Sequence, residues 1–211
     1  NPISAELSVM RTSLLPGLVG AVLRNTTRQQ PRVRMFESGL RFVPTDEGLQ
    51  QVPTLAIAVT GQRFTQSWAM ASEEVDFYDL KGDLESLLTM TCDPNAFEFC
   101  AAERPALHPG QTAAVTRKGQ SVGYIGCLHP TVSADLGLTA PLYLCEIDLQ
   151  AVLDGQLPEF KELSKFPEIR RDIAVIVDKS VVSATLINDV REWAGTYLTD
   201  LRLFDVYTGT G

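Results

Sequence analysis

Apolar residues recur with two different periods along the first 150 positions of the chain. A spacing close to 3.6 residues predicts helices over residues 13–28, with Ser13 as a possible cap, and over residues 76–90. Alternation of apolar and polar positions predicts strands over residues 32–43, 55–61, 96–101, 112–116, 122–128 and 142–147. Turns are predicted at residues 108–110 and 118–119, between the later strands, and a short helix is predicted after Pro130. Short strands interspersed with helices indicate an α+β fold with an antiparallel sheet.

The pattern breaks near residues 155–158, and a different order of elements follows. A strand is predicted over residues 171–178, a helix from Ser183 to about Ala194 with Ser183 as its cap, and a strand over residues 201–207. This β-α-β order is the opening half of a split, ferredoxin-like unit, which needs a further strand, helix and strand. The predicted domains are therefore residues 1–158 and a truncated second domain, residues 159–211.

Length and composition place the chain in an ordinary class. The 211 residues suffice for one or two domains, with 45% hydrophobic and 21% charged residues. No apolar run reaches the roughly 18 residues of a membrane span, and the start at Asn1 lacks a signal-type stretch. We expect a cytoplasmic segment of a longer polypeptide. The four cysteines form no CxxC pair and there are two histidines, so we expect reduced thiols and no metal site.

The net charge of −8 has the wrong sign for a protein that grips nucleic acid over a broad surface. Its distribution is uneven, however. Residues 161–211 hold 7 basic and 8 acidic side chains, so the remaining 11 basic and 18 acidic side chains give residues 1–160 a net charge of −7. Any contact with a polyanion is therefore more plausible in the second domain.

Six groups of motifs, in order along the chain, go beyond this general description. They are residues 10–18 (MRTSLLPGL), 34–39 (RMFESG), 76–82 (DFYDLKG), 107–111 with 123–130 (LHPGQ and GYIGCLHP), 164–167 with 170–174 (SKFP and RRDIA), and 203–207 (LFDVY). Together they resemble the bacterial-type phenylalanyl-tRNA synthetase β chain, from its catalytic-like domain into its ferredoxin-fold anticodon-binding domain. Each motif is weak alone, but their common order covers nearly the whole chain.

The resemblance implies an α2β2 enzyme that joins phenylalanine to its tRNA using ATP and Mg²⁺. In that family the α chain holds the active site on a class II synthetase fold, and the β chain contains a degenerate copy of that fold. The resemblance therefore implies that ATP and Mg²⁺ bind outside this segment. The expected partners are the α chain and the tRNA for phenylalanine, and no membrane is involved.

The residues that class II chemistry requires are missing from the matching positions. An Arg-x-Glu strand should carry arginine two positions before Glu37, where Met35 stands, and the neighbouring Arg34 should point to the opposite face. The glycine-rich strand–helix motif, laid over residues 143–149, has Glu146 at a glycine position and Leu149 at the arginine position. Two carboxylates there, Glu146 and Asp148, would repel a triphosphate. We expect no catalytic and no cofactor-binding residue in this segment.

Two surfaces are candidates for binding. On the strand predicted over residues 201–207, Asp205 and Tyr207 share the face that a ferredoxin-like sheet leaves open, where a tyrosine can stack on a base. With Arg170 they form the predicted tRNA-binding residues. Arg11, Leu14 and Leu18 are the predicted subunit-interface residues. For the two leucines the alternative is a place in the core, and for Arg11 it is a surface carboxylate of this chain.

Two other functions remain open at this point. The first is a stand-alone ATP-dependent ligase on a class II scaffold, which intact nucleotide-binding arginines would have favoured. The second is a small-molecule regulatory module, which would need a complete ferredoxin-like unit. The favoured function is a non-catalytic scaffold for the α chain that also carries part of the anticodon-binding surface.

Overall fold

A computed structural model describes residues 8–91, 93–155, 160, 165 and 167–209. The chain divides into two compact units, Asn1–Glu159 and Phe160–Gly211. Of the pattern break expected at residues 155–158, only Gly155 is among the described residues. Cys92, Ser164 and Phe166 also lie outside them.

The described part of the larger unit contains four α-helices and six strands. The helices are α1 (Leu15–Thr27), α2 (Phe77–Thr91), α3 (Pro130–Asp135) and α4 (Leu149–Leu153), with a 3₁₀ turn at Pro94–Ala96. The strands are β1 (Arg32–Thr45), β2 (Gly48–Gly61), β3 (Phe97–Ala101), β4 (Leu107–Arg117), β5 (Gln120–Leu128) and β6 (Leu142–Asp148). These elements confirm the predicted α+β class with an antiparallel sheet.

All six strands belong to one sheet in the order β1-β2-β6-β5-β4-β3, and every neighbouring pair is antiparallel. β6 is the last of these six strands in sequence but lies between β2 and β5. It is buried over almost its whole length, as expected for a strand covered on both faces. The sheet therefore depends on β6 to join its two outer parts.

The two faces of the sheet are covered by different helices. On one face, α1 packs through Leu15, Leu18 and Val22 in a core that includes Ala56 and Leu144. On the other face, α2 contributes Leu80, Leu84 and Leu88 to a second core with strand residues 55, 59, 125, 143, 145 and 147 and with Val152 of α4. Alternate residues of β2 and β6 serve the two cores, which follows from the two-residue period of a strand.

The structure extends several predicted strands and corrects one predicted turn. β1 and β2 form a 14-residue ladder that closes at Thr45 and Gly48, longer than the pattern predicted. Residues 108–110 were expected to separate two strands, but they lie within β4 at a register shift between Leu107 and Thr112. There the His108 ring accepts the Gly110 N–H (Nδ1···N 3.0 Å), so the histidine supports a local irregularity in the strand.

The described part of the smaller unit contains one α-helix, α5 (Ser183–Ala194), followed by a 3₁₀ turn at Gly195–Tyr197. The helix confirms the prediction, although Ser183 is its first residue and Val182 occupies the cap position without a side-chain bond. The strands predicted over residues 171–178 and 201–207 are wrong as stated, because neither has a ladder partner among the described residues. In a split βαβ unit these two strands pair with later strands rather than with each other.

Within the part of the chain that the structure describes, no helix has the length and apolar character needed to cross a bilayer. Three cysteines are described, Cys100, Cys127 and Cys145, and their thiols are free. Cys127 and Cys145 are buried in the sheet, where burial raises the pKa of the Cys145 thiol to about 12.

Candidate functional site

Arg34 and Glu37, the polar residues of β1 nearest to an Arg-x-Glu motif, lie on opposite faces of the sheet. Arg34 Nη1 lies 2.6 Å from Asp83 Oδ2 of α2, whereas the Glu37 carboxylate pairs with Arg11 on the α1 side. The opposite orientation expected from strand geometry is confirmed. The two side chains therefore cannot act together on one bound nucleotide.

Arg11, predicted at a subunit interface, is tied to its own chain. Besides its ion pair with Glu37, its Nε donates to the Leu40 carbonyl at 2.9 Å, and its own carbonyl accepts from the Phe42 N–H at 2.8 Å. A Cβ atom at Gly39 would lie 2.3 Å from Arg11 Nη2, so the guanidinium passes directly over this glycine and would have to shift for any larger residue. The carboxylate that Arg11 meets here belongs to this chain, and a contact with another subunit stays a prediction.

Leu14 and Leu18, the other predicted interface residues, are buried. Their side chains are 1% and 4% exposed and belong to the core between α1 and the sheet. The two leucines therefore occupy the core, which was the alternative to an interface position. A side chain enclosed by its own chain presents no surface to a partner. This leaves the partly exposed Arg11 as the member of the predicted set that a second subunit can reach.

Glu146 occupies a position expected to face a nucleotide, but it is only 4% exposed and turns toward α1. Its Oε1 accepts from the Ser13 hydroxyl at 2.8 Å and from the Leu14 N–H at 2.7 Å, while Oε2 accepts from the Tyr124 hydroxyl at 3.0 Å. The carboxylate therefore caps the N-terminus of α1, where the helix dipole favours negative charge. Burial, and then the nearby Glu146 charge, raises the pKa of Tyr124 to about 12.

The remaining positions of the expected nucleotide motif are also engaged within the chain. Asp148 ends β6, and its Oδ1 lies 2.6 Å from Arg41 Nη2. The Nε of Arg41 donates to the Thr54 hydroxyl. Leu149 begins α4, so β6 and α4 form the strand–helix arrangement of the expected motif without its arginine. Residues 142–153 of this strand–helix unit include no lysine or arginine that could bind a triphosphate.

An apolar cavity of about 320 Å³ lies between the β1–β2 hairpin and α2. Its walls are formed mainly by Phe36, Leu55, Ile57, Val59 and Leu87, and the Arg34–Asp83 ion pair lies at its rim. A group that entered this cavity would meet apolar side chains and, at the rim, one ion pair whose two charges balance each other.

The residues between β2 and α2 contain a polar cluster that the sequence reasoning did not identify. Arg63 forms ion pairs with Glu73 (2.5 Å), Asp76 (3.1 Å) and Asp79 (3.0 Å). Asp76 and Asp79 also cap α2 reciprocally: Asp76 Oδ1 accepts the Asp79 N–H at 3.0 Å, and Asp79 Oδ2 accepts the Asp76 N–H at 2.8 Å. The D-x-x-D spacing before an apolar helix was the available signal.

Two opposing effects set the ionisation of Asp79. Burial acts to raise the pKa of its carboxyl, but the hydrogen bond from the Asp76 backbone and the Arg63 guanidinium outweigh burial and lower it. Among the described residues there is no group of three or more His, Cys, Asp or Glu side chains placed to hold a metal ion.

The predicted tRNA-binding residues are exposed in the smaller unit. Tyr207 is 76% exposed, and Asp205 and Arg170 are also exposed. Phe204 and Val206, which would lie on the opposite face of a strand from Asp205 and Tyr207, are exposed as well. The face-by-face division predicted for this segment is absent from the described residues, because alternate faces become distinct only when a helix covers one of them.

Two family models match the chain, one in each unit. The model of the phenylalanyl tRNA synthetase beta chain CLM domain matches residues 1–149. The model of the ferredoxin-fold anticodon binding domain matches residues 164–211. The second match supports the ferredoxin-like assignment made from the β-α-β order.

Similar proteins cover the whole chain. It is 52% identical over 211 residues to the phenylalanine–tRNA ligase beta subunit of Pseudomonas fluorescens Pf-5 and 50% identical to that of Pseudomonas syringae pv. tomato DC3000. The corresponding protein of Vibrio vulnificus YJ016 is 46% identical over 214 aligned residues. All of this chain is aligned in each case, and it spans 27% of the length of each relative. The chain therefore belongs to the phenylalanyl-tRNA synthetase beta chain family.

Proposed function

We propose that the chain is a segment of the β subunit of phenylalanine–tRNA ligase, an α2β2 enzyme that attaches phenylalanine to its tRNA using ATP. The observation that carries the proposal is the order of the two family matches, beta chain CLM domain and then anticodon-binding domain, along one chain. Relatives that are named phenylalanine–tRNA ligase beta subunit align over all of its residues. The proposed location is the cytoplasm.

Residues 1–158 serve in this proposal as a degenerate class II domain that supports the α chain. The strand–helix unit β6–α4 supports the comparison with that fold. The residues at its nucleotide positions have structural tasks instead: Glu146 caps α1, and Asp148 pairs with Arg41. ATP and Mg²⁺ bind outside this segment. A stand-alone ligase finds no support, because Met35 and Leu149 stand where phosphate-binding arginines are needed.

Residues 159–211 form the first half of the anticodon-binding domain in this proposal. Arg170, Asp205 and Tyr207 contribute to its RNA surface by ion pairing, hydrogen bonding to a base edge and stacking. Their exposure in the described unit is compatible with these roles. Residues 161–211, with 7 basic and 8 acidic side chains, also carry much less net negative charge than residues 1–160.

Phenylalanine-dependent ATP–pyrophosphate exchange tests the scaffold role. The α chain is combined with full-length β chains carrying no change, Arg34→Ala or Asp148→Asn, and exchange is measured per assembled complex. We expect both variants to stay within about twofold of the unchanged enzyme, and the 211-residue chain alone to give no exchange. A loss of tenfold or more with Arg34→Ala, in a complex that still assembles, would place nucleotide chemistry in this segment.

Titration with tRNA tests the anticodon surface in the same assembled enzyme. Tyr207→Ala is compared with Tyr197→Ala, which removes another exposed tyrosine of the smaller unit. Loss of one stacked base weakens binding by about 1–3 kcal/mol, so we expect that loss for Tyr207→Ala and little change for Tyr197→Ala. Equal, salt-sensitive binding by both variants and the unchanged enzyme would contradict the stacking role.

A further inference from the structure

The connection between β2 and α2 holds an uncharged, exposed group of apolar side chains. Residues 64–72 (FTQSWAMAS), here called the tip, include no ionisable side chain. Trp68 is 100% exposed, and about half of the surface of Phe64 and Met70 is exposed. A single exposed apolar residue is ordinary, but three within seven positions, one of them a tryptophan, mark an interaction site.

The tip stands on a stem that is fixed by hydrogen bonds and ion pairs. The backbone is closed by Arg63 N–H to Glu73 O at 2.8 Å and by Val75 N–H to Gly61 O at 2.9 Å. Gln62 and Glu74 form an isolated antiparallel bridge between these bonds. The three carboxylates around the Arg63 guanidinium then connect the stem to the first turn of α2. The stem therefore fixes the two ends of the tip, which limits the conformational freedom that the tip can lose on binding and so favours affinity.

The charge around the tip selects the class of partner. Two cations lie at the stem: Arg63, which pairs with Glu73, Asp76 and Asp79, and Arg32, whose Nε donates to the Arg63 carbonyl at 3.4 Å. With Glu74 there are four carboxylates at and beside the stem, so the surroundings keep an excess of negative charge. A nucleic acid would meet repulsion there, because its phosphates require cations. A protein with an apolar pocket and a basic rim complements both the neutral tip and its acidic base.

We propose that the tip is a docking element for the α chain of the enzyme, with Trp68 entering an apolar pocket that has a basic rim. This inference rests on the proposed function, which makes the α chain the partner of this unit. Tryptophan is the side chain most enriched among residues that dominate binding, because it buries a large rigid surface. Phe64 and Met70 would then exclude water around it.

Association of full-length β chains with the α chain tests the proposal. Trp68→Ala is compared with Trp193→Ala, which removes an exposed tryptophan from the smaller unit. We expect Trp68→Ala to raise the α–β dissociation constant about tenfold or more, and Trp193→Ala to change it less than twofold. Because Trp68 is fully exposed, the urea midpoint of the free β chain should not change.

The other outcomes separate this inference from the proposed function. If the unchanged β chain fails to assemble with the α chain, or the assembled enzyme fails to charge tRNA, the proposed function is wrong. If the unchanged chains assemble but Trp68→Ala binds as tightly, the docking role is wrong. A lower urea midpoint of the free β variant would mean that the tip packs within its own chain. Weaker tRNA binding by a fully assembled variant would make RNA its partner, and each of these last two results overturns the docking role.

Discussion

At the scale of single residues, Glu146 shows how a position expected to meet a nucleotide takes a structural task. Its carboxylate is buried without an ion pair among the described residues, and its three donors are neutral. A buried polar group contributes stability only while its partners remain, because every lost partner leaves an unsatisfied donor. Glu146 thus connects the start of α1 to the middle of the sheet.

We expect Glu146→Ala to lower the free energy of unfolding by about 2–4 kcal/mol, because it leaves three donors unsatisfied and opens a cavity. Glu146→Gln should cost about 1 kcal/mol, since its carbonyl oxygen still accepts from Ser13 and Leu14 and its amide can donate to the Tyr124 oxygen. Urea unfolding of the larger unit measures both values. Glu98→Ala, at an exposed position of β3, serves as control, and an equal loss from Glu98→Ala would contradict the capping role.

The pKa of Tyr124 predicts how the stability of the folded unit changes at alkaline pH. Its folded pKa of about 12 lies above the ordinary value of 10, so between these values the unfolded chain has released a proton that the folded chain retains. The unfolded state then binds fewer protons, and stability falls as pH rises through this window. Tyr124→Phe should show a shallower fall between about pH 10 and 12. Unfolding midpoints measured across that range test this, and parallel curves for both proteins would contradict it.

The sequence was informative about which side chains share a strand face and less informative about their partners. The separation of Arg34 from Glu37 was predictable, because it follows from the two-residue period of a strand. The enclosure of Leu14 and Leu18 was one of two alternatives, since an apolar helical stripe looks the same at a core and at an interface. The contact between Glu146 and α1 joins residues 132 positions apart, and no local pattern encodes such a pairing.

At the scale of elements, α2 begins where a reciprocal pair of aspartates satisfies its first backbone N–H groups. Asp76 accepts from the N–H groups of Tyr78 (2.8 Å) and Asp79 (3.0 Å), and Asp79 accepts from that of Asp76 (2.8 Å). Helix N-termini leave such donors without partners inside the helix, so a side-chain cap fixes the first residue of the helix.

We expect Asp76→Ala to destabilise the larger unit by about 0.5–2 kcal/mol, the usual cost of losing an N-cap. Asp76→Asn is the matched control, because asparagine caps about as well while losing the charge beside Arg63. Urea unfolding compares the two. A similar loss for both variants would show that the ion pair with Arg63, rather than the cap, carries the contribution.

Elements with a long apolar period were predictable, and elements defined by distant partners were not. The helices α1, α2 and α5 were predicted within two residues of their ends, because their signals lie within one stretch of sequence. The segments 171–178 and 201–207 have strand-like composition, but a strand exists only when another supplies its hydrogen bonds. The irregularity at residues 108–110 of β4 was mistaken for a turn, since proline and glycine mark both features.

At the scale of the whole molecule, both hydrophobic cores lie within the larger unit. Every buried residue of the two clusters falls between Leu14 and Val152. The described residues of the smaller unit contribute no buried side chain to either cluster. Because burial of apolar surface supplies most of the driving force for folding, the stability of the larger unit should be self-contained.

We therefore expect a chain ending at residue 159 to have the same urea midpoint as the 211-residue chain. Its free energy of unfolding should agree within about 0.5 kcal/mol. Circular dichroism of both chains at matched concentration measures this. A clearly lower midpoint for the shorter chain would mean that residues after 159 stabilise the sheet, and would contradict the assignment of both cores to the larger unit.

The central place of β6 has a consequence for the time course of folding. Its partners in β2 precede it by about 80–95 positions, as in the pairs Thr60 with Leu142 and Thr54 with Asp148. The hairpin β1–β2 and the meander β3–β4–β5 can form from neighbouring sequence, but their joining must wait for the closure of a long loop. During synthesis from the N-terminus, β2 emerges about 80 residues before the strand that unites the two parts. Until then both halves expose a strand edge that only β6 is shaped to cover, and a nascent chain is most exposed to mispairing during that interval.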